Sequence, residues 1–360
     1  LFSKNAKQRA EAVKTLQGDA DESKLAIIEK ALAAETVPAI KTQLAMVRAA
    51  VLLSSADKAR RLTATGILAT SGNPEIKTVL LQRQKVEDDA EVKAAIAKAL
   101  MQVNASLAWG DRIAAIFSGI SLGSNLLLVA LGLAITYGLM GVINMAHGEL
   151  MMIGAYATWL VQNAFKSYAP GAFDWYIVAA IPASFIVAAL VGAALERSVI
   201  RWLYGRPLET LLATWGISLM LIQSVRTLFG AQNVPVENPS WLSGGVAVAS
   251  NLTLPFNRIA IIGFAFLVLG GVALLIARTR LGLFVRGVTQ NRRMAACMGV
   301  NTARIDTYAF SLGAGIAGLA GCALSQVGNV GPDLGQSYIV DSFMVVVLGG
   351  VGQLAGTVVA

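Results

Sequence analysis

Long runs of apolar residues without a charged side chain dominate the chain after residue 110. A helix needs about 20 apolar residues to cross the roughly 30 Å hydrocarbon core of a bilayer, and most of these runs reach or approach that length. The pattern predicts a polytopic helical membrane protein. The seven predicted spans are 113–146, 150–165, 175–195, 210–225, 259–277, 307–332 and 342–360.

Residues 1–109 show a different pattern, in which apolar residues recur at helical spacing among many charged ones. In one stretch Val92, Ile96 and Ala99 share a helix face while Lys93 and Lys98 point away. This stretch resembles the second helix of a HEAT-type repeat. The pattern predicts two or three stacked helical hairpins. Such a domain would either dock a soluble partner or cap the membrane part, and the sequence leaves both open.

Short polar segments mark the expected ends of these helices. The segment Ser71-Gly-Asn-Pro74, followed by Glu75, is typical of the turn between two repeats. We therefore predict an all-α fold with a helical-repeat domain at 1–109 and a membrane domain at 110–360. The chain begins at Leu1 and ends at Ala360 within an apolar run, so we interpret both ends as trimmed.

Arginines in the loops predict the orientation of the spans. Loops 196–208 and 278–305 hold nine arginines, whereas the alternate loops 163–174 and 230–258 hold two basic residues. Because basic loops stay in the cytoplasm, the first two loops are expected there and residues 1–109 outside. In a Gram-negative cell, residues 1–109 would then lie in the periplasm and the spans in the bacterial cytoplasmic (inner) membrane.

Composition agrees with a membrane protein and excludes several other classes. Apolar residues make up 56% of the chain, charged residues 14%, and the mean hydropathy is +0.64. Soluble chains carry about 25% charged residues. The net charge of +8 follows from the arginine bias of the loops and does not indicate a nucleic-acid partner. Cys297 and Cys322 predict neither a disulfide framework nor a metal site.

Polar residues within the apolar runs are the candidates for solute contact. The segment Asn144-Met-Ala-His-Gly-Glu149 holds the single histidine of the chain. Ionisable residues at membrane depth usually face a cavity, and we expect this segment to break the helix, with Gly148 supplying the bend. Each such residue could instead bond to a neighbouring helix. The candidate pathway residues are Asn125, Asn144, His147, Glu149, Gln326 and Asp341.

Two motifs bear on nucleotide chemistry. Gly313-Ala-Gly-Ile-Ala-Gly318 matches a dinucleotide fingerprint, but it lies inside an apolar run, where small residues let helix backbones approach. We interpret it, and the glycine-rich stretch 350–356, as helix packing. No P-loop sequence is present, so an ATPase would be a separate chain. We predict no cofactor, no metal and no catalytic residue.

The second arginine-rich loop contains a short helix-like stretch ended by Gly299. Its apolar stripe and adjacent arginines fit either a groove on a partner protein or an interfacial helix on anionic lipid. The residues of this candidate coupling loop are Gln290, Asn291, Arg292, Arg293, Met294, Ala295, Met298, Gly299, Val300 and Asn301.

Several of these stretches together resemble a known family. Residues 121–124, 131–149 and 152–156 are similar to the first membrane segments of branched-chain amino acid-type ABC importer permeases, and 294–301 and 347–356 match two further family stretches. The charged extension before the first span is similar to that of the urea-transporting members. The resemblance covers residues 113–360.

This resemblance implies a permease subunit without enzymatic activity of its own. It implies a homologous second permease, two cytoplasmic ATPase subunits, a periplasmic binding protein that delivers the solute, and contact of the ATPase with residues 290–301. The expected cargo is urea. Three alternatives remain: branched-chain or other amino acids, for which Glu149, Arg226 and Asp341 offer charges; a membrane-anchored receptor or scaffold; and a hydrolase using His147 and Glu149.

Overall fold

The computed structural model describes residues 1–3, 5–18, 24–249, 251–351 and 354–360, and it is mostly helical, as predicted. Its helices are α1 (Ala6–Gly18), α2 (Leu25–Ala34), α3 (Pro38–Leu52), α4 (Lys58–Leu68), α5 (Pro74–Val86), α6 (Ala90–Met140), α7 (His147–Tyr168), α8 (Tyr176–Ser198), α9 (Pro207–Phe229), α10 (Phe256–Arg278), α11 (Arg280–Gln290), α12 (Arg292–Cys297), α13 (Thr302–Ser325), α14 (Leu334–Leu348) and α15 (Leu354–Val359). Two short strands, β1 (Gly245–Ala249) and β2 (Leu252–Pro255), pair in a sheet that the sequence pattern did not predict.

The chain divides into two compact units. The first comprises Leu1–Ile116 with Ala247–Thr253, and the second comprises Phe117–Val246 with Leu254–Ala360. The HEAT likeness of the first unit, the domain boundary at 109/110 and the extracytoplasmic location remain predictions.

The first unit is built from short helices whose buried faces form two apolar clusters. One cluster joins α1, α2 and α3 around Ile28 and Leu44, and the other joins α3 to α6 around Leu68, Leu80 and Ile96. The polar turn before α5 is confirmed as a helix start. Its Asn73 side chain accepts a hydrogen bond from the backbone N–H of Glu75 at 2.9 Å, and Pro74 is the first residue of the helix.

A partly buried ion pair links α1 to Glu35, the residue that follows α2. The Arg9 guanidinium donates to both carboxylate oxygens of Glu35, at 2.8 and 3.0 Å. The backbone N–H of Val37 donates to the same carboxylate at 3.0 Å. Arg9, followed by Val37, lowers the pKa of the Glu35 carboxyl to about 2.

In the part of the chain that the structure describes, four of the helical segments that can cross a bilayer lie wholly in the second unit, and the one in α6 begins in the first unit. Within the described residues five helical segments are long and apolar enough: Ala90–Gly138, Pro170–Ser198, Pro207–Phe229, Phe256–Arg278 and Thr302–Ser325. Seven spans were predicted. The second of them is α7, which has 22 residues but carries several polar side chains at its start.

The last two predicted spans are wrong in their boundaries. Helix α13 ends at Ser325, well before Pro332, and the final predicted span is replaced by α14 and α15, which flank Gly350 in a left-handed conformation with φ +88°. Apolar loop residues extend a charge-free run past the end of a helix, so absence of charge does not report where the helix ends. Residues 352–353 of the predicted span and of the glycine-rich stretch lie outside the described residues.

Helix α13 is the centre of the second unit. The apolar window of α13 is 78% buried, and the helix packs against α7 and α8. A Cβ atom placed on Gly154 of α7 would overlap the backbone of Gly318 on α13. The helix-packing interpretation of the glycine motif at 313–318 is therefore confirmed, because its glycines lie inside a helix where two backbones meet.

Candidate functional site

The segment between α6 and α7 interrupts the helical path of the chain in the second unit. Helix α6 ends at Met140, residues 141–146 are not helical, and α7 begins at His147. The Asn144 side chain accepts a hydrogen bond from the backbone N–H of Ala146 at 3.1 Å, which holds the turn into α7. The predicted helix break is confirmed.

The bend itself comes from a different glycine than the one predicted. Gly141 adopts φ +64°, a left-handed conformation that glycine enters at no steric cost. Gly148 instead lies inside the first turn of α7, where a Cβ atom would overlap the backbone of Gly335 on α14. The expectation that Gly148 supplies the bend was wrong, because its role is close packing.

His147 begins α7 and is fully buried. Its Nε2 lies 3.2 Å from the backbone carbonyl oxygen of Val129 on α6. Because a carbonyl can only accept, Nε2 carries the proton and Nδ1 is left as an acceptor. Nδ1 has no hydrogen-bond partner among the described residues. The ring thus ties α7 to α6 with one nitrogen and leaves the other available.

Glu149 lies in the first turn of the same helix and is 1% exposed. The Ser218 hydroxyl of α9 lies beside its carboxyl group, and the carboxylate oxygen Oε2 has no partner within the described part of the chain. An acidic side chain at a helix N-terminus is favoured by the backbone dipoles. The first turn of α7 therefore presents a carboxylate oxygen that is buried and free to accept a hydrogen bond.

Helix α9 supplies a stripe of hydroxyl groups to the break. Thr210, Thr214 and Ser218 recur every four residues and are all buried. Thr214 accepts a hydrogen bond from the backbone N–H of Met145 at 3.1 Å. Sequence reasoning missed these residues, although their four-residue spacing within an apolar span was a visible signal of one polar helix face.

Among the described residues, several buried polar atoms have no hydrogen-bond partner, and three of them lie in this segment. Buried polar groups in folded proteins are nearly always hydrogen-bonded. In the described structure the partnerless atoms include Nδ2 of Asn144, Nδ1 of His147 and Oε2 of Glu149, together with Oδ1 of Asn125 on α6. The first three come from six consecutive residues at a helix break. Their donors and acceptors suit a small polar solute or water.

Gln326 and Asp341 have surroundings of their own. Gln326 follows α13, where its Oε1 accepts from the Tyr176 hydroxyl at 3.0 Å and its backbone oxygen accepts from Asn257 at 3.0 Å. Asp341 is exposed on α14. Gln326 therefore links the first residues of α8 and α10 through hydrogen bonds. Asp341 lies on the surface of the single chain.

The three charged residues considered for a zwitterionic cargo differ in pairing and exposure. Arg226, in the last turn of α9, donates to Asp333 at 2.6 Å in an ion pair. Glu149 is buried beside Ser218, and Asp341 is exposed. Arg226 is thus already neutralised by a neighbouring carboxylate.

The candidate coupling loop has the predicted helical character. Asn291 caps α12 by accepting from the backbone N–H of Met294 at 3.0 Å, and Asn301 caps α13 by accepting from that of Arg304 at 3.2 Å. Gly299 follows α12 with φ +82°, so its predicted role as the helix end is confirmed. These caps hold the short helix α12 between two longer ones.

The apolar residues of this loop differ in exposure. Met294 and Met298 are 60% and 78% exposed. Ala295 and Val300 instead pack against the buried residues Val285 and Ile305. Exposed methionines beside Arg292 and Arg293 leave a surface suited to a partner. Gln290 is the last residue of α11, so the single helix-like stretch predicted for this loop is divided at Asn291.

Comparison with known proteins identifies the family. Residues 115–360 match the family described as branched-chain amino acid transport system / permease component. This match covers most of the chain. The chain belongs to this family. It is a permease component of an ABC transporter and a multi-pass protein of the inner membrane, and its relatives are transporter subunits rather than enzymes.

Individual relatives agree with this assignment. The chain is 30% identical over 243 residues to BraD, the high-affinity branched-chain amino acid transport system permease protein of Pseudomonas aeruginosa, covering 66% of this chain and 79% of BraD. It is 30% identical over 250 residues to LivH of Escherichia coli K12, covering 68% and 80%. It is 27% identical over 260 residues to the probable LivH of Methanocaldococcus jannaschii, covering 68% and 76%. No solved structure matches the chain.

Membership of this family also implies partner subunits. ABC permeases of this family imply ATPase subunits, a substrate-binding protein and a second permease. The matched range begins at residue 115, so residues 1–114 lie outside it. The three relatives are named for branched-chain amino acids, and the predicted urea cargo has no support from them.

Proposed function

We propose that this permease moves a small polar solute past the break between α6 and α7 by alternating access. The observation that carries this proposal is the set of partnerless polar atoms on Asn144, His147 and Glu149, all buried. Transporters build solute sites from interrupted helices, whose first-turn N–H groups and exposed carbonyls are available for bonding. Asn125, on α6, adds an acceptor to the proposed pathway.

The proposed orientation places the arginine-rich loops in the cytoplasm. Residues 196–208 and 278–305 then face the ATPase subunits, and the exposed methionines of α12 contact them. On the same orientation the first unit lies outside the membrane, where a periplasmic binding protein delivers the solute. Asp341, exposed on α14, would face a second permease or the pathway between the two subunits, because a carboxylate in lipid is costly.

The cargo that the relatives favour is a branched-chain amino acid. BraD and LivH are named for this transport, and each aligns with about two thirds of this chain. The free oxygen of Glu149 supports the proposal, because it could accept a hydrogen bond from the ammonium group of an amino acid. The backbone N–H groups at the start of α7 suit the opposite end of the solute, its carboxylate.

Urea is the second candidate, and two observations favour it. The charged residues 1–114 lie outside the family match, and the sequence resemblance noted above likens this extension to that of urea-transporting members. The pairing of Arg226 with Asp333 removes one of the cations that a zwitterion would use, whereas urea is neutral and needs only donors and acceptors.

The test is uptake by the complete importer in lipid vesicles. The permease is reconstituted with its second permease, its ATPase subunits and its binding protein, and uptake of labelled leucine and labelled urea is measured with and without ATP. Uptake that requires both ATP and the binding protein supports the proposal, and the solute taken up identifies the cargo. Uptake by this chain alone would contradict the mechanism.

A further inference from the structure

A polar cluster joins the short helix α12 to two long helices of the second unit. Arg292, the first residue of α12, forms an ion pair with Asp306 on α13. The Arg292 guanidinium also lies over the ring of Tyr204, 5.3 Å from the ring centroid. Helix α12 is therefore attached to α13 directly and to the 199–206 loop by stacking.

Tyr204 extends this cluster to α8. Its hydroxyl donates to Glu196 Oε1 at 3.1 Å, and the Thr307 hydroxyl of α13 donates to Glu196 Oε2 at 2.6 Å. Glu196 is completely buried near the end of α8. Burial raises the pKa of the Tyr204 phenol above its ordinary value, so Tyr204 remains a neutral donor at physiological pH. One carboxylate thus receives hydrogen bonds from two different elements.

Burial makes this cluster sensitive to small displacements. The side chains of Glu196 and Asp306 are 0% and 4% exposed. A buried carboxylate that loses a partner pays a large desolvation cost, because water cannot replace the lost bond. The partners of both carboxylates therefore have to move together. Outside the cluster, the ion pair of Arg206 and Glu209 in the same region is well exposed and imposes no such requirement.

We propose that Arg292 is the positioning residue through which a displacement of α12 moves α8 and α13 as one body. This inference rests on the proposed function, in which α12 contacts the ATPase. Asp306 transmits the displacement to α13, and Tyr204 transmits it to Glu196 on α8. Met294 and Met298 contact the ATPase, whereas Arg292 converts that contact into movement of the spans.

The experiment compares Arg292→Met, Arg292→Lys and Glu196→Gln in the assembled importer. Glu209→Gln is the matched control, because it removes an exposed carboxylate near the same loop. For each complex we measure the amount assembled, the basal ATP hydrolysis rate, its stimulation by the binding protein, and the solute taken up per ATP hydrolysed.

We expect Arg292→Met to assemble and hydrolyse ATP, but to lose roughly tenfold in solute taken up per ATP, within the range of coupling between linked sites. Arg292→Lys keeps the positive charge but loses the bidentate pairing with Asp306 and the stacking on Tyr204. The solute taken up per ATP by this variant should therefore lie between the values of Arg292→Met and wild type. Glu209→Gln should match wild type.

Two outcomes separate this inference from the proposed function. A wild-type complex with no ATP-dependent uptake overturns the proposed function. A coupled wild-type complex together with an Arg292→Met complex of unchanged uptake per ATP overturns the inference alone. Arg292→Lys still decides if Glu196→Gln fails to assemble, or if Arg292→Met fails because it leaves Asp306 buried without its cation. Arg292→Lys keeps a cation beside Asp306, and unchanged uptake per ATP in that variant overturns the inference.

Discussion

The backbone N–H of Met145 donates to the hydroxyl oxygen of Thr214 at 3.1 Å, and this bond joins the break before α7 to the hydroxyl stripe of α9. A helix break in a membrane frees backbone groups that no lipid can satisfy. Thr214 restores one of these bonds from a neighbouring helix. The hydroxyl stripe therefore stabilises the interrupted conformation at which solute is proposed to pass.

Replacing Thr214 with valine tests this bond, because valine has nearly the same shape but no hydroxyl. We expect a loss of about 1–3 kcal/mol of stability, the usual cost of leaving a buried N–H unsatisfied. Thermal unfolding of the purified complex measures this loss. Thr214→Ser keeps the hydroxyl and should retain most of the stability. Thr227→Val, an exposed change on the same helix, is the control, and equal losses at 214 and 227 would contradict the assignment.

Replacing Glu149 with glutamine removes the buried carboxyl group and preserves the shape of the side chain. If the Oε2 atom accepts a hydrogen bond from the ammonium group of an amino acid, uptake of that amino acid should fall about tenfold or more, since hydrogen bonds to charged groups contribute about 1.5–3 kcal/mol. Transport of neutral urea should fall much less. Uptake of each solute by variant and wild-type vesicles is the measurement, with Glu209→Gln as the control. Unchanged uptake of every transported solute would exclude Glu149 from the pathway.

The ion pair of Arg9 with Glu35 predicts an acid sensitivity of the first unit. Because the folded pKa of Glu35 is depressed to about 2, its stabilisation is complete above the unfolded value near 4.5 and is lost as pH falls towards 2. Hydrogen exchange of α1–α3 amides in the full chain should accelerate over this range. Glu35→Gln should already exchange faster at neutral pH and respond less to acid in this window. Glu29→Gln, which removes a more exposed pairing with Arg48, should resemble wild type.

The contact of Gly154 with Gly318 predicts an intolerance of side chains at this crossing. Gly154→Ala should separate α7 from α13 and destabilise the complex by about 1–3 kcal/mol, the usual cost of overpacking a core. Gly263→Ala on α10 is the matched control, since a Cβ atom there meets nothing within 4 Å. Melting temperatures of the two variants should differ clearly, and equal values would show that the crossing can relax.

Local signals in the sequence were sufficient for part of the fold and of the candidate site. The helix start at Asn73-Pro74 and the helix end at Gly299 follow from residue types that favour caps and turns whatever surrounds them, and a break near Asn144 was predicted from its polar residues. The family resemblance also followed from contiguous stretches. These features depend on neighbours along the chain, so one sequence suffices to predict them.

Other residues could not be assigned without the packed helices. Asp341 and Glu149 are both acids within apolar surroundings, yet one is exposed and the other is buried beside α9. Glu196 and Asp306 showed no signal at all, because each is a single acid at the end of an apolar run. Their partners lie on other helices, and sequence spacing does not report which helices meet.

The sequence by itself determined that the chain is a helical membrane protein with a separate charged helical region, because length, apolar runs and arginine bias respond directly to the bilayer. The tertiary structure alone decided which polar groups meet. In lipid the outward face of a helix is as apolar as its buried face, so hydrophobic periodicity does not mark the side that packs. The pairing of Arg226 with Asp333, the hydroxyl stripe of α9 and the Arg292 cluster arise only when particular helices come into contact.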